Sequence, residues 1–430
     1  MSRQWMPLDN AALIFPAIRR AEWVNVFRVS VTLKEDIDPR TLQRAVDHLK
    51  PRFPSVYVRL GSGLFWYFLE EVHAVPRVRQ DYAYPLTHMG ARELRRCCFR
   101  VLYYKNRIAV EFFHALTDGS GGMIFLKTLA AEYLRIKYGT VVPPTDGVLD
   151  LTQRPRDGEL EDSFQRCSGK HPMSRAESNS WRLSGTRESG GYLHLITGVI
   201  DTKTLIAKAH EYGGTVTAFL AAVMARSILD MQAAEVPHRR QKPVKITIPV
   251  NLRRIFGSET LRNFALTVNP GVDPKLGEYS LRELVSEFGH QLALEVTPQR
   301  MAGRIAANVN PQKFPAMRLT PLFIKNTAMR IVYDSVGETK GCLNISNLGA
   351  VAVPEAMRDS IARLDFIIGV QYSYPNNCAV ASFGDMTCVS MIRNIEEAEL
   401  ERRFFSGLVE LGIPVSIESN DTKGTQTKGK

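Results

Sequence analysis

A histidine and an aspartate stand four residues apart in the segment Glu111–Gly122, and glycines follow them at once. The apolar, β-branched and aromatic residues of 108–113 predict a strand that ends just before His114. An imidazole at a strand end is held by the sheet behind it, and an ordinary pKa of about 6.5 lets it accept a proton at neutral pH. Asp118 lies in the following turn, where its carboxylate can accept hydrogen bonds or bind an arginine. This pattern is typical of an active site with a general base.

Two later segments strengthen this interpretation. The first reads Ile-Pro-Val-Asn-Leu-Arg-Arg over 248–254 and is followed by Arg-Asn-Phe at 262–264. With His-x-x-x-Asp-Gly, it resembles the motifs of the superfamily of chloramphenicol acetyltransferases, peptide-synthetase condensation domains and alcohol O-acyltransferases. The second, Asn-Ile-Ser-Asn-Leu-Gly at 344–349, matches only the Gly of the plant Asp-Phe-Gly-Trp-Gly motif. Its Ser-Asn-Leu-Gly is similar to bacterial and fungal alcohol acetyltransferase-like members, and the resemblance extends over roughly residues 5–415.

The resemblance implies an O-acyltransferase that moves an acyl group, expected to be acetyl, from a coenzyme A thioester to an alcohol hydroxyl. His114 would act as the general base without a covalent acyl-enzyme. Arg253 would anchor Asp118, so that both residues support the geometry of the site. The candidates for oxyanion stabilisation or for lining the channel are Gly119, Ser346 and Asn347. Acyl-coenzyme A is then a co-substrate, and no bound cofactor is expected.

Other functions are compatible with parts of this pattern. A condensation-type enzyme takes its acyl group from an acyl carrier protein, but such families usually carry two adjacent histidines, and Phe113 occupies the first place here. A non-catalytic binding or scaffold relative is a second alternative, against which the intact His114 and Asp118 argue. No metal site is predicted, because zinc needs three protein ligands and no third ligand or His-Glu-x-x-His helix accompanies these two.

The formal charge of +11 raises the question of nucleic-acid binding. The nearest basic clusters in the sequence, 239–242 and 253–254, lack interleaved aromatic residues and any binding-fold motif. Nucleic acid is therefore not an expected partner. The charge indicates a solvated basic surface, or attraction of an anionic donor such as coenzyme A or of an acidic carrier protein.

Length, cysteines and hydropathy set further limits. A chain of 430 residues exceeds the usual size of one core and predicts two domains. Six cysteines without C-x-x-C spacing, and an N-terminus without a long apolar run, predict a reduced, cytoplasmic protein. No run reaches the roughly 18 to 20 apolar residues that cross a bilayer, so no membrane span is predicted, although contact with a membrane surface stays open.

The elements that must position these residues fall into two similar halves. Strand 27–33 is predicted to bury one face, and the helix start at 38–42 is echoed by 201–205 in the second half. The predicted fold class is α/β of the α+β type. The resemblance implies two chloramphenicol acetyltransferase-like halves, with mostly antiparallel sheets, flanking helices and an active-site channel between them. The predicted divisions are a first half at 1–140, a linker or covering loop at 141–191, a second half at 192–418 and a disordered tail at 419–430.

Overall fold

The computed structural model of the chain describes residues 5–19, 25–82, 84–173, 177–314, 319–333, 339–371 and 374–421. The strands are β1 Trp5–Pro7, β2 Val26–Leu33, β3 Val58–Ser62, β4 Tyr67–Glu71, β5 Arg79–Gln80, β6 Phe99–Tyr104, β7 Arg107–Phe113, β8 His194–Asp201, β9 Val244–Asn251, β10 Ala265–Val268, β11 Gly271–Val272, β12 Leu343–Ala350, β13 Ile361–Ile368, β14 Asn376–Phe383, β15 Met386–Arg393 and β16 Val415–Ser419. The α-helices are α1 Ile14–Ala17, α2 Pro39–Leu49, α3 Ala91–Leu94, α4 Gly119–Tyr138, α5 Asp157–Leu160, α6 Ser163–Arg166, α7 Thr202–Glu211, α8 Val216–Glu235, α9 Arg253–Phe256, α10 Leu281–Glu295, α11 Pro298–Val309, α12 Leu322–Val332, α13 Glu355–Arg358 and α14 Glu399–Glu410.

The described strands form three sheets. The largest has the order β10-β9-β12-β14-β15-β8-β16, with β11 also paired to β9, and the others have the orders β13-β2-β7-β6-β5 and β1-β4-β3. Strand β12 runs parallel to β14 and β9, and β5 runs parallel to β6, whereas the remaining described pairs are antiparallel. The predicted α/β fold with mixed, mostly antiparallel sheets is confirmed.

Each of the two larger sheets has its own hydrophobic core. Helix α4 packs on β2 and β7, and helix α8 packs on β9 with α10 and α14 beside it. The predicted cap of α2 is present, because Asp38 Oδ2 accepts a hydrogen bond from the Thr41 amide at 2.8 Å. Asp201 caps α7 in the same way, with its Oδ2 atom 2.7 Å from the Thr204 amide. The two echoed segments thus start equivalent helices in the two halves.

Strand β2 is buried on both faces, and the prediction of a single buried face is wrong. Arg28 and Ser30, which alternate with its apolar residues, are only 4% and 2% exposed. Arg28 bridges two carboxylates, with Nη1 2.7 Å from Asp81 Oδ2 and Nε 2.7 Å from Glu111 Oε1. Glu111 also accepts from Arg100 Nε at 2.6 Å. Polar residues occupy the second face because a closed ion-pair network satisfies their charges there.

One strand of the second half belongs to the sheet of the first. Strand β13 pairs antiparallel with β2, from Ile361 opposite Leu33 to Ile368 opposite Phe27. Met357, just before it, is buried in the core of the first half. The two halves are therefore joined by backbone hydrogen bonds as well as by side chains, while the division of the chain at 141–191 stays a prediction.

The segment 141–191 packs on both halves. Glu159 forms a buried ion pair with Arg52 of the first half at 2.5 Å, and its carbonyl accepts a hydrogen bond from the Leu261 amide of the second half. Near the other end of the chain, Ser419 ends β16 and the Asn420 side chain bonds to the backbone of Leu193 and Leu195. The predicted disordered tail is thus ordered over 419–421, and the rest of that prediction falls on 422–430, outside the described residues.

Helix α8 is the one helix among the described residues with the length and hydropathy of a membrane span. It is 61% buried inside the fold over its most apolar window. Its apolar character on all sides is explained by its place in the second core, between β9, α10 and α14.

Candidate active site

His114 follows β7, and three neighbours hold it in place. Its backbone amide donates a hydrogen bond to the Asn25 carbonyl at 2.9 Å. Its ring stacks on Phe15, with centroids 4.5 Å apart and planes 17° apart, and meets Phe27 edge-on at 5.2 Å. Because two aromatic rings fix the imidazole, its nitrogens point in defined directions.

A polar chain fixes which nitrogen of His114 carries the proton. His114 Nδ1 lies 3.1 Å from Asn263 Oδ1, and Asn263 Nδ2 lies 3.2 Å from Asp9 Oδ2. Burial raises the pKa of Asp9 to about 6, which still leaves the group ionised at neutral pH. An ionised carboxylate only accepts hydrogen bonds, so Asn263 turns its NH2 group to Asp9 and its oxygen to the histidine. His114 Nδ1 then carries the hydrogen, and Nε2 keeps its lone pair.

The surroundings also keep His114 neutral. Burial lowers the pKa of His114 below its ordinary value, and the attraction of Asp118 and the hydrogen bond to Asn263 only partly oppose that effect. A neutral imidazole with a free Nε2 lone pair is the form that can remove a proton from an acceptor. The site is therefore poised for general-base chemistry at neutral pH.

Asp118 is the N-cap of α4, and each of its carboxylate oxygens accepts two hydrogen bonds. Its Oδ1 atom accepts from the amides of Ser120 and Gly121 at 3.1 Å each, and its Oδ2 atom accepts from the Phe264 amide at 2.9 Å and from Arg253 Nη1 at 2.8 Å. Burial raises the pKa of Asp118, but Arg253 and the amide donors outweigh it, so the pKa lies below its ordinary value. Asp118 stays ionised and holds the turn.

Arg253 connects that turn to the loop that carries the histidine's partner. Its Nε atom donates to the Thr260 carbonyl at 2.7 Å, and its Nη2 atom donates to the Arg262 carbonyl at 2.5 Å. Asn263 is the next residue in this loop. The ion pair with Asp118 thus sets the position of Asn263 relative to His114, across the boundary of the two halves.

Small residues allow the loop to approach the start of α4. Thr117 Oγ1 donates to the Leu261 carbonyl at 2.6 Å. A Cβ atom on Gly121 would collide with both of these groups, and one on Gly119 would lie 2.9 Å from Phe366. The glycines after His-x-x-x-Asp are therefore required by close packing against the second half.

Segment 344–349 lies in β12, and its C-terminal part reaches the same region. Leu348 is 3.1 Å from the position of a Cβ atom on Gly119. Both polar atoms of the Asn347 side chain are hydrogen-bonded within the protein. Its Nδ2 atom donates to Thr217 Oγ1 at 3.0 Å, and its Oδ1 atom accepts from the Gly349 amide at 2.7 Å. Ser346 is partly exposed, and its hydroxyl makes no hydrogen bond with a described residue.

The structure brings His114, Asp118 and Arg253 together and places Gly119 at the same helix start. Neither Ser346 nor Asn347 contacts any of these three through a hydrogen bond within the described chain. Asp9 and Phe15 were not predicted, because no motif marks them and only the fold brings the N-terminal segment to the histidine. No group of three His, Cys, Asp or Glu residues that could hold a metal ion occurs in the described ranges.

No family model matches this chain, and no curated protein matches it. Solved structures do. Polyketide synthase associated protein 5 from Mycobacterium tuberculosis has a TM-score of 0.61 at 14% identity, covering 94% of this chain and 97% of that one. The TRI3 trichothecene 15-O-acetyltransferase from Fusarium sporotrichioides has a TM-score of 0.59 at 11% identity, covering 95% and 94%. TRI101 from F. graminearum, complexed with coenzyme A and T-2 mycotoxin, has a TM-score of 0.60 at 10% identity, covering 94% and 97%.

This chain has the two-lobed chloramphenicol acetyltransferase-like fold. The resemblance found in the motifs is confirmed for the fold. At these identities the likeness extends to the fold alone, so the chemistry must be argued from the side chains of the site.

The ion pair can be tested through its energetics. Asp118→Ala and Arg253→Ala are each expected to lower the free energy of unfolding by roughly 3 to 5 kcal/mol, because each leaves a buried charge without its partner. The double variant should lose clearly less than the sum of the two. Denaturant unfolding of the four proteins measures this coupling. Arg254→Ala, at an exposed neighbour, is the matched control, and strict additivity would show that the pair is not linked.

The role of Asn263 can be tested through the pH dependence of activity. Asn263→Ala removes the acceptor of Nδ1 and a hydrogen bond that raises the pKa of His114. We expect the acid limb of the kcat profile to move to lower pH, and kcat to fall about fivefold to tenfold, equivalent to about 1 kcal/mol. Asn269→Ala, at a nearby asparagine bonded to Thr247 instead, should leave the profile unchanged. An unmoved acid limb in Asn263→Ala would remove Asn263 from this role.

Proposed function

We propose that this protein is an O-acyltransferase that transfers an acyl group from a coenzyme A thioester to the hydroxyl of an acceptor alcohol. The observation that carries the proposal is the state of His114. It is held neutral, with Nδ1 directed at Asn263 and Nε2 left as a base at the boundary of the two halves. The similar Fusarium structures are named for acetyl transfer and for a complex with coenzyme A, which supports acetyl as the acyl group.

In the proposed reaction, His114 Nε2 removes the proton of the alcohol while the alcohol oxygen attacks the thioester carbonyl carbon. The tetrahedral intermediate then collapses and the carbon–sulfur bond breaks. His114 passes the proton that it took from the alcohol to the leaving thiolate. Asp118 transfers no proton, because its oxygens already accept four hydrogen bonds. Its role is to hold the geometry with Arg253.

Direct transfer is also supported by the state of the cysteines. A covalent acyl-enzyme would need an activated nucleophile such as a thiolate. Burial raises the pKa of Cys97 to about 11, and that of Cys342, Cys378 and Cys388 to about 12. These thiols are therefore protonated and inert at neutral pH, which fits direct transfer without an acyl-enzyme.

Few groups at the start of α4 are free to donate a hydrogen bond to the developing oxyanion. The amides of Ser120 and Gly121 are already bonded to Asp118 Oδ1, and the Gly122 amide donates to the Asp118 carbonyl. The Gly119 amide makes no hydrogen bond with a described residue and lies at the positive end of α4. We propose the Gly119 amide, with the Ser346 hydroxyl as second candidate, as the oxyanion donors.

The distribution of charge supports an anionic donor. The clusters expected from the sequence, 239–242 and 253–254, are not the densest. A groove of about 960 Å³ on the first half is lined by seven arginines and two glutamates. Three of the arginines, Arg59, Arg79 and Arg100, pair with Glu70, Glu93 and Glu111, and the other four are Arg77, Arg92, Arg95 and Arg96. Such a field attracts the phosphates of coenzyme A toward the protein. It would attract an acidic carrier protein as well, so charge alone does not separate the two donors.

The residue at position 113 gives better evidence for the choice between coenzyme A and a carrier protein as donor. Phe113 is 2% exposed and part of the first hydrophobic core, and it occupies the place of the first of the two adjacent histidines that condensation-type enzymes usually carry. We therefore propose coenzyme A rather than a carrier protein as the source of the acyl group. The reduced state of all six cysteines agrees with the cytoplasmic location that we also propose.

The proposed base is tested by replacement. His114→Ala is expected to fold normally and to lose acyl transfer by about 10² to 10⁴, the usual contribution of a general base. The assay mixes several acyl-coenzyme A donors with a panel of alcohols, follows thiol release and identifies the ester by mass. His290→Ala, at an exposed histidine of α10, is the control. Turnover near that of the wild type in His114→Ala would reject the mechanism, and no transfer by the wild type would favour a binding or scaffold role.

The proposed donor is tested by salt. Lysine and arginine bind phosphate electrostatically, so added salt should weaken the interaction. We expect the KM for acyl-coenzyme A to rise clearly with ionic strength, and the KM for an uncharged alcohol to change little. If acyl-coenzyme A is inert at every salt concentration while a loaded carrier protein donates the same acyl group, the condensation-type alternative is correct.

A further inference from the structure

Asp9 is a buried carboxylate with weaker support than Asp118. Its side chain is 0% exposed, and its Oδ1 atom accepts from the Ala12 amide at 2.7 Å. Its Oδ2 atom accepts from Asn263 Nδ2 at 3.2 Å, while Arg262 Nε lies 3.7 Å from that oxygen and makes no hydrogen bond to it. Asp118 has an arginine at 2.8 Å and three amide donors. A buried carboxylate without a close cation takes up a proton more readily than one with such a partner.

The surroundings of Asp9 place its titration close to neutral pH. Burial is the main cause that raises the pKa of Asp9 to about 6. Arg262, in the loop before β10, opposes this effect, and Asp162, the N-cap of α6, adds to it. Asp9 is therefore ionised at neutral pH and takes up a proton in mildly acidic solution.

The side-chain amide of Asn263 connects Asp9 to His114. Asn263 is 2% exposed, and its Oδ1 atom lies 3.1 Å from His114 Nδ1. Within the described residues, neither end of this amide has a hydrogen-bond partner besides Asp9 and His114. A half-turn of the amide exchanges its oxygen and its NH2 group with little change of shape. Its orientation therefore depends on which of its two neighbours donates and which accepts.

A proton on Asp9 would reverse both hydrogen bonds of Asn263. Because Asp9 Oδ1 accepts from the Ala12 amide, the proton lies on Oδ2, which then donates. Asn263 turns its oxygen to Asp9 and its NH2 group to His114. Nδ1 must then accept, so the single hydrogen of the neutral imidazole passes by exchange with water from Nδ1 to Nε2. The lone pair that serves as the base is lost.

We propose that Asp9 is a positioning residue that controls the base: its carboxylate, acting through the Asn263 amide, keeps His114 Nε2 free, and a proton on Asp9 reverses the tautomer of the imidazole. The acid limb of the kcat profile then follows Asp9, and not His114 alone. This effect on catalysis rests on the proposed function. The tautomer of His114, however, is a property of the protein without substrate.

The tautomer can be read by NMR of protein that contains ¹⁵N-labelled histidine. Each ring nitrogen has a different chemical shift with and without its hydrogen. His114→Ala identifies the signals of this residue among the nine histidines. At mildly alkaline pH the wild type should carry the hydrogen on Nδ1, and the opposite tautomer there would overturn the proposal.

The variant Asp9→Asn imitates the protonated carboxyl group at every pH. Its amide oxygen must face the Ala12 N–H, so its NH2 group points to Asn263. At mildly alkaline pH we expect the hydrogen of His114 on Nε2 and a kcat at least about tenfold lower, because a histidine in the wrong tautomer loses most of its effect as a base. KM should change little. Thermal stability should be unchanged or higher, since a buried charge without a close partner is removed, whereas a merely structural role predicts lower stability.

Exchange of the two side chains provides a rescue. In Asp9→Asn/Asn263→Asp, the introduced carboxylate accepts from the introduced amide and from His114 Nδ1. The Nδ1–H tautomer and most of kcat should therefore return. A folded exchange variant with the hydrogen on Nε2 would contradict the proposal.

The matched control is Asp162→Asn, at a neighbouring carboxylate that accepts from the amides of Asn10 and Phe164 and not from Asn263. It should keep the tautomer of His114 and the kcat of the wild type at mildly alkaline pH. Its acid limb should move to lower pH, because the charge of Asp162 raises the pKa of Asp9. An unmoved acid limb would count against Asp9 as the controlling group.

The outcomes separate this inference from the proposed function. The proposal is overturned if folded Asp9→Asn keeps the hydrogen of His114 on Nδ1, or if it keeps the kcat of the wild type. Should Asp9→Asn fail to fold in thermal unfolding, the spectrum of the wild type and the acid limb of Asp162→Asn still decide. If the wild type transfers no acyl group, the proposed function fails, while the NMR spectra still show whether Asp9 sets the tautomer.

Discussion

The buried ion pair between Asp118 and Arg253 is the interaction on which the candidate site depends. The two side chains are 9% and 10% exposed, and they belong to different halves of the chain. Removing water from both charges costs free energy that only close pairing and additional hydrogen bonds offset. Asp118 obtains these from three backbone amides, and Arg253 obtains them from two carbonyls. The pair therefore couples the start of α4 to the loop before β10.

That coupling determines the chemistry of His114 without direct contact. The loop held by Arg253 carries Asn263, whose oxygen selects the tautomer of the imidazole, and Asp9 orients Asn263 in turn. Burial then keeps the ring neutral. The position, the tautomer and the protonation state of the imidazole thus depend on different features: the loop held by Arg253, the Asn263–Asp9 hydrogen bond and burial. The tight approach of this loop to the start of α4 explains why glycines follow Asp118.

The two halves are also joined at the level of the sheets. Strand β13 completes the sheet that contains β7, and Phe366 from this strand packs against Gly119. The base and the start of α4 are therefore held by elements of both halves. Helix α12 makes a third connection, from the second half to the β3–β4 hairpin and α1.

The sequence by itself determined the local features. Residue types and spacing indicated the strand before His114 and the cap at Asp38, because each depends on residues near in sequence. The family resemblance of the motifs implied the pairing of Asp118 with Arg253. Tertiary structure decided the rest. Phe15 reaches His114, and Asp9 reaches its partner Asn263, only through folding, and Arg28 is buried because Glu111 and Asp81 neutralise it. Local periodicity reports which residues share a face, but long-range contacts determine what that face meets.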